Sequence, residues 1–465
     1  MSIANFNVRS IPGLCLLDQK TGILFDPTQV FPFIPFSHGS AVFGGLFGDE
    51  GKGKTVDEIA KSYKDMGLKV LSTRGNGSGN AGHTVVNDGV EYHFHYLTSA
   101  GLVADLILLG PCMLIDPKRL LSEAKTLPKE KQEIIMVAER ATIVTDLDRL
   151  MDAWYENQKV ASGHKPIGTT KSGVGPGTAN RANRTHITFA DALMCKDYKE
   201  LKEKLLQNPD WPSEIRAHLT DEYASELFDA IKALNIVDSV SVISKCRNEG
   251  NWAILLEVSQ AVCLDNLFGN GGHFTTSMSC TDIGGAAGAG LTMYDFPDGS
   301  TMVLKAYSSK VGEGPFVTRF TPEEQHIDTF IDSIVHERGV TTGRKRDLGW
   351  FDATAVRNSI KLTNADICIN CIDVIPRLAE VTDTVKVCFA YEVHENGKTS
   401  VTYDWKYNLK DCTPLYSTLD IRGKSEKQII QEYILLIEMI IGKKIKGYGV
   451  GPSREDYRLR EEAFK

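Results

Sequence analysis

An α/β protein with a P-loop, a mostly parallel central sheet, flanking helices and long insertions is expected from three stretches of this chain. A β-prone run meets glycines at "SAVFGGLFG" (40–48), the helix-compatible "KTVDEIAKSYKDM" (54–66) follows, and "KVLSTRGNG" (69–77) is another short strand ending in glycines. Strand, loop, helix and strand in that order open a parallel sheet. Residues 48–55, "GDEGKGKT", fit the spacing GxxxxGK followed by Ser or Thr, the pattern of a phosphate-cradling loop.

Ahead of this unit, residues 1–40 include "FDPTQVFPFIPFSHGS", where prolines interrupt aromatics, so the reading is an extended arm packed on a domain. Between about 117 and 163 the pattern turns helical, as in "PKRLLSEAKTL" and "DLDRLMDAWYENQ", and it does so again from about 197 to 235. Strand-like runs recur at "WAILLEV", "STMVLKAY" and "ADICINCIDVI", and "VKVCFAYEVHE" with "KTSVTYDW" resembles an antiparallel pair. A last helix, "EKQIIQEYILLIEMIIG", precedes a glycine-rich tail loop, "GYGVGPSRED". With no internal repeat, low-complexity segment or linker, residues 41–465 read as one large domain.

Composition narrows the class. The 465 residues are 42% hydrophobic and 24% charged, with 41 glycines, which describes a soluble globular protein. A balance of 52 basic against 60 acidic residues, net −8, argues against a surface that coats nucleic acid, so any phosphate binding is local. Ten scattered cysteines lack the spacing of a disulfide framework, which points to a reducing, cytoplasmic compartment. Neither a membrane-spanning apolar run nor a signal peptide is legible.

Five loops carry the candidate chemistry. In the first, backbone N–H groups and the start of the helix can surround a polyphosphate, Lys54 can neutralise it, and Thr55 sits where such loops supply a metal-facing hydroxyl. Asp49 is out of place there unless a metal ion or a proton transfer gives it a purpose, because phosphate repels a carboxylate. The second loop, "RGNGSGNAGHTVV", sets Asn80, Gly82, His83 and Thr84 just after a strand, and an imidazole in that setting can donate a proton near neutral pH. The third, "IGTTKSGVGPGTANRANRT", offers Thr169, Thr170, a flexible glycine run, Arg181 and Arg184; it binds phosphate or lies at an interface, a plain surface loop being the alternative. The fourth, "GVTTGRKRDLGWFD", offers Thr341, Thr342, Arg344, Lys345 and Arg346. Two arginines one residue apart can serve different anions on opposite sides of an extended loop. The fifth, "NCID" (370–373), ends a strand, where Asp373 can accept from N1–H and the 2-amino group of guanine or simply serve as a turn residue. Cys368 and Cys371 form a CxxC, read as core packing because no second pair stands nearby.

Together these loops resemble the adenylosuccinate synthetase family. The counterparts are GDEGKGK (48–54), NAGHT (80–84), GTTKSGVGP (168–176), EVSQ (257–260) with FTTS (274–277), and VTTGRKRDLGWFD (340–352), in the family's order over about 41 to 455. The resemblance implies a ligase that joins L-aspartate to C6 of IMP through a 6-phosphoryl intermediate, driven by GTP hydrolysis with Mg²⁺. It implies catalytic roles for Asp49, His83, Gln260 and Lys52, with Asp49 as the base that removes the N1 proton and His83 as the acid. Asp49 and Gly82 would hold the metal. Asn80, Thr170, Gln260, Thr275 and Arg344 would bind the monophosphate nucleotide, with Arg184 reaching across a homodimer interface. Thr341, Thr342 and Arg344 would take the amino acid. Gly51, Lys52, Gly53, Lys54, Thr84, Arg346, Asp373 and Gly451 would surround the donor nucleotide. Neither nucleic acid nor membrane is an expected partner.

Three departures bear on specificity. Where the family carries an arginine in the third loop this chain has Ser172, so either Lys171 compensates or the amino acid differs. Asn370 and Cys371 replace Thr and Lys of the family's TKxD, and the tail loop lacks a hydroxyl before its Gly-Pro pair, which opens GTP or ATP as donor. A related phage branch that acts on a guanine deoxynucleotide replaces the loop aspartate by a small residue; Asp49 favours IMP, with dGMP as the alternative acceptor. A silent nucleotide-binding paralogue is the other alternative, opposed by the presence of both Asp49 and His83. A GTPase switch explains neither NAGHT nor VTTGRKR.

Overall fold

Apolar residues alternate between two faces along the central strands, and both faces are covered. In the computed structural model, which describes residues 33–87, 90–269, 275–339, 343–405 and 409–464, Phe43, Leu71, Ile254, Leu304 and Ile369 enter one apolar cluster. Val42, Val70, Ala253, Leu255 and Val303 enter the other. Strands buried on both sides read as continuous apolar runs, which is the signature of a parallel sheet.

Ten strands form that sheet: β1 (His38–Gly44), β2 (Lys69–Arg74), β3 (Leu106–Leu109), β4 (Ile135–Ala138), β5 (Ile236–Val237), β6 (Trp252–Ala261), β7 (Ser300–Lys305), β8 (Asp366–Asn370), β9 (Ile445–Gly449) and β10 (Tyr457–Leu459). Their order is β10-β9-β8-β7-β1-β6-β2-β3-β4-β5. Every pairing is parallel except the edge pair of β9 with β10. β1 lies between β6 and β7, so the loop after it opens at the centre of the sheet. The helix α1 (Lys52–Asp65) follows that loop and returns the chain to β2. A smaller sheet joins Phe351–Asp352, Thr384–Glu395, Lys398–Thr402 and Cys412–Asp420, and contains the expected antiparallel pair.

Three expectations need correction. The stretch read as helical between 117 and 163 contains β4, because the β-branched run at Ile135–Ala138 pairs with β3 and β5. The tail read as a glycine loop contributes β9, since its residues pair with β8 and Tyr448 is buried. The glycine run of the third loop is helical over Val174–Asn183. Most of the N-terminal arm, residues 1–32, lies outside the described residues. Its end packs on the domain: Phe36 is buried, and the Arg247 guanidinium lies 4.7 Å from the Phe33 ring centroid. No described helix is long and apolar enough to cross a membrane.

Candidate active site

Two helices begin at one cavity without a side-chain cap. Left-handed Gly51 (φ 80°) precedes α1, and left-handed Gly173 (φ 74°) precedes the helix Val174–Asn183. Uncapped N-termini leave N–H groups and a positive dipole end facing open space, a setting that favours anions. The cavity between them has a volume of about 570 Å³.

The first loop is shaped from within. The buried Glu50 carboxylate accepts from Gly48 N–H at 2.9 Å, from Leu46 N–H at 3.2 Å and from Lys52 Nζ at 2.8 Å. Asn370 Nδ2 donates to the Glu50 and Gly51 carbonyls, each at 3.0 Å. These contacts hold Gly48, Asp49 and Gly51 at positive φ and leave Asp49 on the cavity wall. Asp49 Oδ2 meets Arg346 Nη2 at 2.7 Å, and Arg346 Nη1 meets Glu337 at 2.7 Å. Glu337 also accepts from Lys305 and Tyr307. Burial alone would raise the Glu337 carboxyl, but Lys305 and Arg346 hold it at about 2.

His83 also lines the cavity, at the start of the strand His83–Asn87. Its Nδ1 lies 2.6 Å from Glu257 Oε1, and the buried Nε2 has no hydrogen-bond partner among the described residues. Glu257 is fully buried in β6 and also accepts from Ser99 N–H at 2.6 Å and the Ser99 hydroxyl at 2.7 Å. Burial raises this carboxyl too; the His83 ring, Arg74 and the Ser99 N–H outweigh it and set it at about 2. Glu257 therefore fixes Nδ1 as a donor, and Nε2 is the nitrogen left to meet a substrate. Gln260, three residues on, is held at φ 59° and also lines the cavity. A non-glycine residue in that conformation costs about 1–3 kcal/mol and is a mark of functional sites.

The expected residues divide into two groups. Asp49, Gly51, Lys52, Gly53, Asn80, Gly82, His83, Thr84, Thr170, Gln260, Thr275, Arg344 and Arg346 line the cavity. Lys54, Asp373 and Gly451 do not: Lys54 Nζ donates to the Gly451 carbonyl at 2.7 Å, on the side of the first loop where Asp373 and Asp456 bear on its charge. Burial lowers Lys54 and raises Asp373. Thr55 is buried, with its side chain against Cys368. Arg184 is exposed at the end of its helix, outside the cavity. Thr341 and Thr342 lie outside the described residues. Lys171 is exposed and is not among the residues that line the cavity, and Ser172 accepts from the Thr170 hydroxyl at 3.0 Å.

The adenylosuccinate synthetase family pattern matches residues 41–458. The chain belongs to the adenylosuccinate synthetase family. The adenylosuccinate synthetase of Fusobacterium nucleatum is 32% identical over 452 residues, covering 91% of this chain and 99% of the relative. That of Streptococcus sanguinis is 31% identical over 451 residues, covering 91% and 98%. Among solved structures, fully ligated adenylosuccinate synthetase from Plasmodium falciparum superposes with a TM-score of 0.77 at 25% identity, covering 90% of this chain and 99% of that one. The succinoaminodeoxyadenylate synthetase of cyanophage S-2L, bound to dGMP and dATP, shares the fold with a TM-score of 0.56 at 16% identity, covering 91% and 95%.

In this family member the sequence reading passed over Glu50, Glu257 and Glu337. A lone carboxylate inside the apolar run "WAILLEV" was the available signal for Glu257, since a charge buried in a central strand requires a partner. Glu50 and Glu337 sit beside singled-out residues, yet only the folded chain shows that their carboxylates turn inward.

Proposed function

We propose that the cavity joins L-aspartate to C6 of IMP, using GTP as phosphoryl donor and releasing GDP and phosphate. The observation that carries this reading is that Asp49 and His83, whose Nε2 has no hydrogen-bond partner among the described residues, both line one cavity between two uncapped helix N-termini. The membership in a family of ligases that form a C–N bond supports it.

The 6-oxygen of the base is a poor leaving group. Asp49 takes the N1 proton, the 6-oxygen gains electron density and attacks the γ-phosphorus, and GDP departs. The aspartate amine then adds at C6, the C6–O bond breaks, the oxygen leaves with the phosphoryl group as phosphate, and the proton lost from the amine goes to the departing phosphate. His83, carrying a second proton on Nε2, donates to the transferring group, while Glu257 keeps the ring in place. Arg346 holds Asp49 until the donor's phosphates compete for the guanidinium.

Mg²⁺ fits Asp49 and the backbone of Gly82: both line the cavity, and hard oxygen donors suit this cation. Bound there, it neutralises charge on the transferring phosphoryl group. A homodimer with exposed Arg184 at the partner's site, and a cytoplasmic setting, complete the reading.

The test is a substrate matrix of IMP, dIMP, GMP and dGMP, each with GTP or ATP and with aspartate or another amino acid, scored by product mass. Adenylosuccinate from IMP, GTP and aspartate is the expected product. Inactivity of every IMP mixture overturns the reading, and activity on dGMP alone replaces the acceptor.

A further inference from the structure

Helix Asp146–Ala161 carries two carboxylates that reach the third loop. Asp152 and Glu156 are spaced by one helical turn and so share a face, and they are only 6% and 7% exposed. Asp152 accepts from the Thr169 hydroxyl at 2.9 Å and from Gly173 N–H at 3.1 Å. Glu156 accepts from Gly168 N–H at 2.8 Å and from Ile167 N–H at 3.3 Å. Four donors within residues 167–173 therefore end on one helix face. From the other side, Arg344 Nη2 donates to the Gly168 carbonyl at 2.9 Å and ties the fourth loop to the third.

Placing two buried carboxylates side by side is unfavourable unless the geometry they impose is needed. Burial raises the Asp152 carboxyl, and Glu156 adds to the rise. The loop they hold is one that would otherwise move: Gly168, Lys171 and Gly173 all have positive φ, at 78°, 52° and 74°. Glycines have many competing conformations, so a free loop of this composition loses affinity each time it must be ordered around a ligand.

We propose that Asp152 and Glu156 are positioning residues for the acceptor nucleotide. They hold the backbone of residues 167–173, the Thr169 hydroxyl included, in the shape that presents Thr170 to its phosphate, and they set its affinity rather than the rate of the chemical step. The inference rests on the functional reading above.

Steady-state kinetics and calorimetry with IMP test it on Asp152→Ala, Asp152→Asn, Glu156→Ala and Glu156→Gln. The alanine variants are expected to raise KM and Kd for IMP by about tenfold or more, the loss of one or two buried hydrogen bonds. KM for GTP and kcat stay within about threefold, and Glu156→Gln, which keeps one acceptor, recovers part of the loss. Unchanged IMP affinity overturns the proposal, even if Tm falls, because the carboxylates would then be scaffold only. A lower kcat at unchanged KM overturns it as well. If an alanine variant does not fold, the Asn and Gln variants decide by the same criteria. A wild-type protein that binds IMP without forming product overturns the functional reading and leaves this inference to the calorimetry; one that does not bind IMP overturns both.

Discussion

Replacing Glu257 by Gln removes one charge from the polar cluster behind His83 and changes almost no volume. The carboxylate now serves three donors: His83 Nδ1 at 2.6 Å, Ser99 N–H at 2.6 Å and the Ser99 hydroxyl at 2.7 Å. A carboxamide offers one oxygen and one NH₂, so in Glu257→Gln either the Ser99 N–H loses its acceptor or the NH₂ faces His83. In the second case the imidazole must shift its proton to Nε2, and the ring can no longer hold a proton on both nitrogens without an unpaired buried N–H. A positioned general acid contributes about 10²–10⁴-fold to rate, or about 3–5 kcal/mol, and most of that is expected to disappear from kcat. A buried donor left without a partner costs a further about 1–3 kcal/mol of stability. Initial rates of product formation, IMP binding by calorimetry and Tm separate the two effects: kcat falls by at least about a hundredfold while IMP still binds. A kcat within about threefold of wild type would refute the role given to the His83–Glu257 pair.

Other outcomes follow from the same geometry. Asp49→Asn keeps a residue type that tolerates φ 57° but cannot take the N1 proton, so product formation measured by mass should fall by about 10²–10⁴-fold; retained product formation removes the base from Asp49. Glu257 and Glu337 sit at about 2 in the fold against an ordinary 4.5, so their contribution is present above 4.5 and is lost as pH falls toward 2. Each is worth on the order of 3 kcal/mol, and Glu337→Gln should flatten the acid limb of Tm against pH; an unchanged limb contradicts the ion-pair account. Gly75→Ala would place a Cβ 1.9 Å from the Gly285 carbonyl oxygen. Prying the second loop from helix Asp282–Ala289 should destabilise the protein by about 1–3 kcal/mol in urea unfolding.

Much of the fold was legible because the central strands are buried on both faces. β1, β6, β7 and β8 appear in the sequence as short apolar runs bounded by turn residues, and α1 as a periodic segment after glycines. β4 and β9 were misread because strand pairing is a long-range fact: "IMVA" and "IKGYG" become strands only when β3 and β8 lie beside them. The helix Val174–Asn183 was missed because glycines argue against helix locally, while Asp152 and the buried Pro176, Gly177 and Asn180 hold it in place. At the site, the loops pointed to Asp49, His83 and Gln260 through unusual residues in glycine settings. The inward-facing acids were not visible there, since which way a carboxylate turns is decided by donors that only the folded chain brings to it: loop N–H groups and Lys52 for Glu50, Lys305, Tyr307 and Arg346 for Glu337, and His83 and Ser99 for Glu257. Asp373 and Lys54 show the converse: motif spacing names them, and in the fold neither is among the residues that line the cavity.

In the proposed reaction the 6-oxygen of IMP is phosphorylated before aspartate displaces it. IMP isotopically labelled at the 6-oxygen, incubated with the protein, GTP, Mg²⁺ and aspartate, tests this in one mass measurement of the released phosphate. Adenylosuccinate without the label, accompanied by phosphate that carries it, is the expected result. Product formation with the label in water, or label retained with no product, would contradict the account.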